Sequence, residues 1–347
     1  MNTVVAHKNK EDNKKMDKKL HPDDRTDLSY ASFRRTKLKG QFYRVLDHFP
    51  IDQKYARQKK YGNQTILDTE QGRKILKDAI IAGAPFMAAR FGTSEGAALT
   101  AYWEIKLKQG DNIQAFPKEP LDILCNNAGF FPNSKEAAWK WAELETKACA
   151  DLDLLGVMHF LNEEWIFNNF CPQAKLMPNG GLASAGKGWA TVLEGRKVLV
   201  VHPFTDTIKS QYENKRELIF PGSNALPEFD LKCVKAVQTI ADQEDPRFHT
   251  WFDALDYMTD EVAKQDFDVA LIGCGAYGFQ LASRVKRMGK IAVHMGSTVQ
   301  TLFGIKGARW NVKDSGMYND AWVYPSEAET PKGFEKVENG AYWKPKE

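Results

Sequence analysis

The stretch Asp268 to Gly296, DVALIGCGAYGFQLASRVKRMGKIAVHMG, constrains the fold more than any other part of the chain. Val269 to Ile272 is a short apolar run of buried-strand type, and the helix behind it sets Leu281, Val285 and Met288 on one face until Gly289 ends it. A second apolar run follows from Ile291 to Met295. Between the first run and the helix, Gly273, Gly275 and Gly278 have GxGxxG spacing. Such glycines let a backbone approach a diphosphate, whose charge then sits on the helix N-terminus, or they simply make a tight strand-to-helix turn. A nicotinamide or flavin site would add an acidic residue about 20 residues on, to hold ribose hydroxyls. Here that strand tip reads His294, Met295, Gly296.

At 347 residues the chain has ample apolar material for one large α/β domain or two smaller ones. Its five cysteines, Cys125, Cys149, Cys171, Cys233 and Cys274, contain no CxxC pair, which argues against a disulfide framework and a zinc site. No apolar signal core opens the chain, and no apolar run approaches the ~20 residues a membrane helix needs, so a cytoplasmic protein is expected. A net charge of +3 is too small to imply nucleic acid, but it is unevenly spread. Residues 1–28 mix Lys and Asp and read as a disordered tail. From Arg34 to Lys60 nine cations face only Asp47 and Asp52. This stretch reads as a solvated helical face or as a surface resting on anionic lipid, where each cation contributes about 1 kcal/mol.

Along the chain, a helical pattern covers Thr69 to Ala82, and Phe86 to Phe91 reads as a strand running into a helix from about Gly96 to Lys108. Ser134 is a cap candidate for a helix reaching about Ala150, with Ala138, Trp141, Leu144 and Ala148 as its apolar stripe. Further strands are expected at Leu154–Met158, Lys197–Val201, Val234–Gln238, Val269–Ile272 and Ile291–Met295. The alternation predicts an α/β fold, a mostly parallel Rossmann-like sheet with helices on both faces, with ligands beyond the carboxyl ends of the strands.

Three motifs carry candidate chemistry. Gly181 to Gly188, GLASAGKG, departs from a P-loop where Gly188 replaces the metal-holding hydroxyl; it reads as a flexible loop in which Lys187 is the one phosphate candidate. Gly92 to Gly96 fits GxSxG, with strand before and helix after as a nucleophile elbow requires, so Ser94 with a later Asp or Glu and then a His, for example Asp268 and His294, would make a serine hydrolase. No HGGG-type oxyanion segment precedes it. Beyond Val201, His202 and Asp206 offer a base and its orienter, while Lys209 and Arg216 offer phosphate neutralisation or a solvated helix face. Asn319 and Trp322, in an aromatic-rich segment, suit either sugar contact or packing of a C-terminal strap.

Extended backwards, the GxSxG segment reads Arg90-Phe91-Gly92-Thr93-Ser94-Glu95, and RFGTSE resembles the RFGDGE signature of the GT-D type bacterial glycosyltransferases. The segment from Val269 to Gly296 is similar to the later half of that fold, so the resemblance covers one short motif and about thirty residues, in the same order. It implies that Arg90 and Glu95 lie at the sugar-nucleotide donor site, together with Gly92, Thr93, Ser94, Gly273, Gly275, Tyr277, Gly278, His294 and Gly296. An Arg can clamp a diphosphate bidentately, and a carboxylate can hold a divalent cation or a sugar hydroxyl. The signature's Asp is Thr93 here, which leaves Glu95 as the single metal candidate for Mn or Mg. Arg90 and Glu95 could alternatively form an ion pair supporting the turn.

The expectation is therefore a transferase of surface-glycan synthesis that moves a sugar from a nucleotide-diphosphate donor to a glycan or lipid-linked acceptor. Glu95 or His202, oriented by Asp206, would be the base, and residues 34–60 would rest on the inner membrane face. The expected divisions are the tail (1–28), a basic helical segment (29–82), a nucleotide-sugar-binding domain (83–325, in halves 83–195 and 196–325) and a C-terminal strap (326–347). A serine hydrolase, a dinucleotide-dependent oxidoreductase and a non-catalytic nucleotide-binding protein are the alternatives.

Overall fold

The structure, a computed structural model, describes residues 27–46, 58–183, 188–241, 243–310 and 318–345. Most of the polar tail, the part of the basic stretch from 47 to 57, and Lys187 lie outside the described residues. A two-residue antiparallel pair, β1 (Lys60–Tyr61) with β2 (Gln64–Thr65), stands apart from the main sheet. That sheet contains β3 (Phe86–Ala89), β4 (Leu154–Val157), β5 (Lys175–Pro178), β6 (Lys197–His202), β7 (Asp230–Lys235), β8 (Val269–Ile272) and β9 (Ile291–His294). Its order is β5-β4-β3-β9-β8-β6-β7, and every neighbouring pair is parallel. The chain is thus an α/β protein of the expected class.

Parallel strands buried on both faces are apolar along their length, and the central strands are, apart from Lys197 and His202 at the ends of β6 and His294 at the end of β9. Met87, Ala89, Leu199, Val201, Ala270 and Ile272 enter one core, whereas Ala88, Val198, Val200, Val269, Leu271 and Val293 enter the other. The first core is covered by α3 (Thr93–Gln109), α4 (Lys118–Ala128), α5 (Lys135–Ala148), α8 (Trp251–Ala263) and α9 (Gly278–Arg287). The second lies under α2 (Thr69–Ala82), α7 (Thr205–Ile219), α10 (Thr298–Leu302) and a C-terminal strap that buries Val337 and Trp343. On the first face, α1 (Tyr30–Leu46) and α6 (Glu163–Phe170) complete the layer through Phe33 and Trp165. All five cysteines are free, and no described helix is long and apolar enough to cross a membrane.

Helix ends follow local chemistry. Asp68 and Gln71 form a capping box for α2, and Gly83 closes it at φ 70°, a left-handed conformation that costs glycine nothing. Ser134 caps α5 by accepting from the Ala137 N–H. One strand expectation is corrected: pairing runs over Asp230–Lys235 rather than Val234–Gln238. Its charges, Asp230, Lys232 and Lys235, suit an edge strand, where they discourage pairing with another chain. The apolar run after it is buried because it crosses the strand ends as a loop, with Val237 5% exposed.

The strap is fastened by one carboxylate. Glu329, 4% exposed, accepts from the backbone N–H groups of Asp206 and Thr207 and the hydroxyls of Thr207 and Ser326, so its charge meets the positive end of α7. Trp343 Nε1 donates to the Glu329 carbonyl and ties the strap's far end to the same place. Glu329→Ala should lower stability by about 1–3 kcal/mol, read as an earlier urea midpoint at unchanged slope.

Candidate functional site

Because the sheet is wholly parallel, the carboxyl ends of its strands share one edge, and a cavity of about 330 Å³ lies beyond it. Arg90 directly follows β3, and its half-buried guanidinium passes over Gly296 so closely that a Cβ there would sit 1.8 Å from Nη2. Gly296 is at φ 59°, so both its conformation and its lack of a side chain are required. Arg90 Nη1 donates to the Phe91 carbonyl at 3.1 Å, and among the described residues no carboxylate closes an ion pair with it. Glu95, in the first turn of α3, bends back over the helix start: a Cβ on Gly92 would sit 1.8 Å from its Oε2. Burial pushes the Glu95 carboxyl up from its ordinary value, while Arg90 and the residue's own backbone N–H pull it down.

Two histidines line the cavity in opposite hydrogen-bonding states. His202 Nδ1 accepts from the Phe204 N–H at 3.0 Å, which leaves the proton on Nε2. His294 Nδ1 lies 3.2 Å from the Ile272 carbonyl, so its proton is on Nδ1 and Nε2 keeps a lone pair. Burial lowers both to about 3, with the Arg90 charge adding to the effect at His294, so both rings are neutral near pH 7. The glycine turn is spent largely on protein contacts. A Cβ on Gly273 would meet the Gly296 carbonyl at 2.5 Å, one on Gly275 the Ala128 carbonyl at 2.5 Å, and one on Gly278 the His294 ring at 2.1 Å.

Of the expected site residues, Arg90, Gly92, Thr93, Ser94, Glu95, His202, Gly273, Gly275, Tyr277, His294 and Gly296 line this cavity. Gly278 does not; it seats α9 on His294. Asp206 is exposed and pairs with Lys235 at 3.0 Å, so it does not orient His202. Lys209 is exposed on α7, and Arg216 pairs with Glu217 and Glu228. Asn319 and Trp322 serve the C-terminus of α7: the Asn319 amide donates to the Leu218 and Ile219 carbonyls and Trp322 Nε1 to Ile219. The example pair for the hydrolase alternative is not brought together, because Asp268 precedes β8 and bonds the Lys197 N–H at the amino edge, whereas His294 ends β9 at the other.

Sequence reasoning missed the residues that close the cavity. Arg309 pairs with Glu338 and lies over the Tyr342 ring, whose hydroxyl donates to Glu338 at 2.7 Å. Gln238 and Thr239 arrive on the loop mistaken for a strand, and Asn179 follows the unforeseen β5. The carboxylates lining the cavity are Glu95 and Glu338, the latter already paired, and among the described residues no three His, Cys, Asp or Glu groups cluster as metal ligands. This donor set does not make a protein cage for a divalent cation.

No protein-family model matches the chain, and no curated protein matches it. Two solved structures are similar to it, each with a TM-score of 0.37 and 12% identity. One is a selenomethionine-substituted structure of domain of unknown function 1792, with 78% of this chain and 94% of that chain covered. The other covers 84% of this chain and 96% of its own, and is described as showing that this highly conserved domain has a distinct glycosyltransferase fold.

Behind the cavity, Glu145 is 1% exposed; its Oε2 accepts from Gln280 at 2.8 Å and its Oε1 has no partner among the described residues. Burial, with Glu95 repelling a second charge, raises it from 4.5 to about 8. A carboxyl raised on folding holds its proton where the unfolded chain has lost it, so its contribution is full below pH 4.5 and is lost as pH rises to about 8. Glu145→Gln should flatten that decline, so that the variant gains on wild type between pH 5 and pH 8 in denaturant titrations, with the two similar near pH ~4.

Proposed function

We propose that this protein is a glycosyltransferase that moves a sugar from a nucleoside-diphosphate donor to a hydroxyl-bearing acceptor in the synthesis of cell-surface glycans. The carrying observation is Arg90, a half-buried cation with no ion-paired carboxylate among the described residues, lining a cavity on the carboxyl edge of a parallel sheet. A guanidinium so placed favours a diphosphate, binding it bidentately, and the start of α3 adds its positive end. The cavity is within the range of small-ligand sites, about 300–1,000 Å³.

In the reaction, the acceptor oxygen bonds to the anomeric carbon, and the bond from that carbon to the diphosphate oxygen breaks. The nucleoside diphosphate leaves with the electron pair, its charge met by Arg90. The acceptor proton passes to Glu95, whose burial strengthens it as a base. His202, with its proton on Nε2, supplies a hydrogen-bond donor, and His294 an acceptor for a sugar or ribose hydroxyl, standing where a dinucleotide site would have an acid. Tyr342 and Trp343 of the strap reduce the water that competes with the acceptor.

Location at the cytoplasmic membrane face is part of the proposal. On α1, Leu38, Phe42 and Val45 are 55%, 61% and 56% exposed along one side, with Arg34 and Arg35 exposed on the same helix. An apolar stripe flanked by cations suits an anionic lipid surface.

Among nucleotide sugars tested by thermal shift, with and without manganese, at least one should stabilise the wild type. Arg90→Ala should weaken that ligand about tenfold or more by removing a charge-assisted pair, and an unchanged shift would refute the role of Arg90. Ser94 should stay unlabelled by a fluorophosphonate probe on the folded protein; labelling would favour the hydrolase. Phe42→Asp should reduce co-sedimentation with anionic vesicles while leaving the donor-induced shift in place.

A further inference from the structure

Among the described residues, the cations lining the cavity are Arg90 and Arg309, and the carboxylates are Glu95 and Glu338, so the lining offers an anion little net charge. Arg309 pairs with Glu338, whose Oε2 also accepts from the Tyr342 hydroxyl at 2.7 Å. The two side chains of that pair are 44% and 29% exposed, and an ion pair so exposed costs little to break. Its carboxylate is carried on a strained turn, because Glu338 at φ 47° and Asn339 at φ 58° are consecutive left-handed residues and neither is glycine. The backbone beneath the guanidinium is firmer: the Ala308 and Arg309 N–H groups donate to the Trp343 and Ala341 carbonyls at 3.1 and 2.9 Å.

We propose that Arg309 is a second phosphate-binding cation latched by Glu338, and that a ligand with two adjacent phosphates takes the guanidinium from Glu338 whereas a single phosphate leaves the latch shut. The inference rests on the transferase reading and deepens it, by naming the residue that meets the second phosphate and making the choice of diphosphate over monophosphate an ion-pair exchange. A guanidinium can trade one oxyanion for the other without changing its own geometry, since carboxylate and phosphate both accept two parallel N–H bonds from its fork. A single phosphate held by Arg90 has no second oxyanion with which to compete for Arg309. A diphosphate has one, and the strained turn at Glu338 and Asn339 is then free to relax.

The charges of the cavity already act on one another. Burial pushes the Tyr342 hydroxyl up and Glu338 adds to it, while Arg309 and Arg90 both pull it down, so the two guanidinium charges reach one phenol. At Glu95 burial is again the main upward push, opposed by Arg90 and helped by Glu338. Glu338 is not stranded when the guanidinium leaves it. The Tyr342 hydroxyl remains as a donor, and the exposed part of the carboxylate is open to water.

The test is calorimetric titration of the full chain with inorganic pyrophosphate and with inorganic phosphate, beside the nucleotide-sugar thermal shift. Pyrophosphate should bind the wild type. Glu338→Gln, which keeps an acceptor for Tyr342 while removing the charge, should tighten pyrophosphate about twofold to fivefold and change phosphate by less than about twofold. Should that variant not fold, Glu338→Gly, suited to a left-handed backbone, takes its place. Arg309→Gln should weaken pyrophosphate about fivefold to tenfold, and in its background Glu338→Gln should bring no gain. Pyrophosphate affinity unchanged by loss of the Glu338 charge, or a gain that persists without Arg309, would overturn the latch, and so would no pyrophosphate binding by wild type and Glu338→Gln alike. A chain that binds pyrophosphate in the expected pattern but no nucleotide sugar would count against the transferase and leave the latch standing. A donor shift lost in Arg90→Ala but indifferent to Glu338 and Arg309 would do the reverse.

Discussion

Close backbone contact among the loops leaving β3, β8 and β9 is the constraint on which the cavity depends. Arg90 lies flat because Gly296 has no side chain, the turn at Gly273 fits under the Gly296 carbonyl, and α9 reaches the sheet because Gly278 leaves room for His294. None of these contacts tolerates a Cβ without movement, since the gaps are 1.8, 2.5 and 2.1 Å. The same approach makes the floor of the cavity, and among the described residues no carboxylate closes an ion pair with the guanidinium that lies on it. Packing and electrostatics are here one arrangement.

Much of the scaffold was legible in the sequence because parallel strands buried on both faces must be apolar throughout. Val269–Ile272 and Thr69–Ala82 have the expected bounds, and the other recognised strands differ only at their ends, except β7. β5 escaped notice because KLMP is four residues long, begins with Lys and ends in Pro, too short for any period to show. β7 was misplaced for the opposite reason: its edge position permits charges, so the more apolar loop beyond it looked more like strand.

Within the site, the legible residues were those adjoining a strand end, such as Arg90, His202 and His294, since topology alone sends them to one edge. Asp206, four residues beyond His202, is already on the outer side of α7, which shows how quickly that rule decays with distance along a helix. Arg309, Glu338 and Tyr342 left no local signal. Their meeting depends on the strap packing back across the sheet, where Glu329 at the start of α7 and the backbone bonds from Ala308 and Arg309 to Trp343 and Ala341 fix where it lands.

The strap also sets the order in which the site can come into being. A chain emerging from the ribosome contains Arg90 well before Gly273 and Gly296, which make the cavity floor, and those before Glu338, Tyr342 and Trp343, which cover it. Domains fold as units during synthesis. The cation is therefore made long before its site, which has its floor only once Gly296 has emerged and its cover only after the strap. A chain stopped short of the strap would retain the sheet's edge and its charge without the means to exclude water.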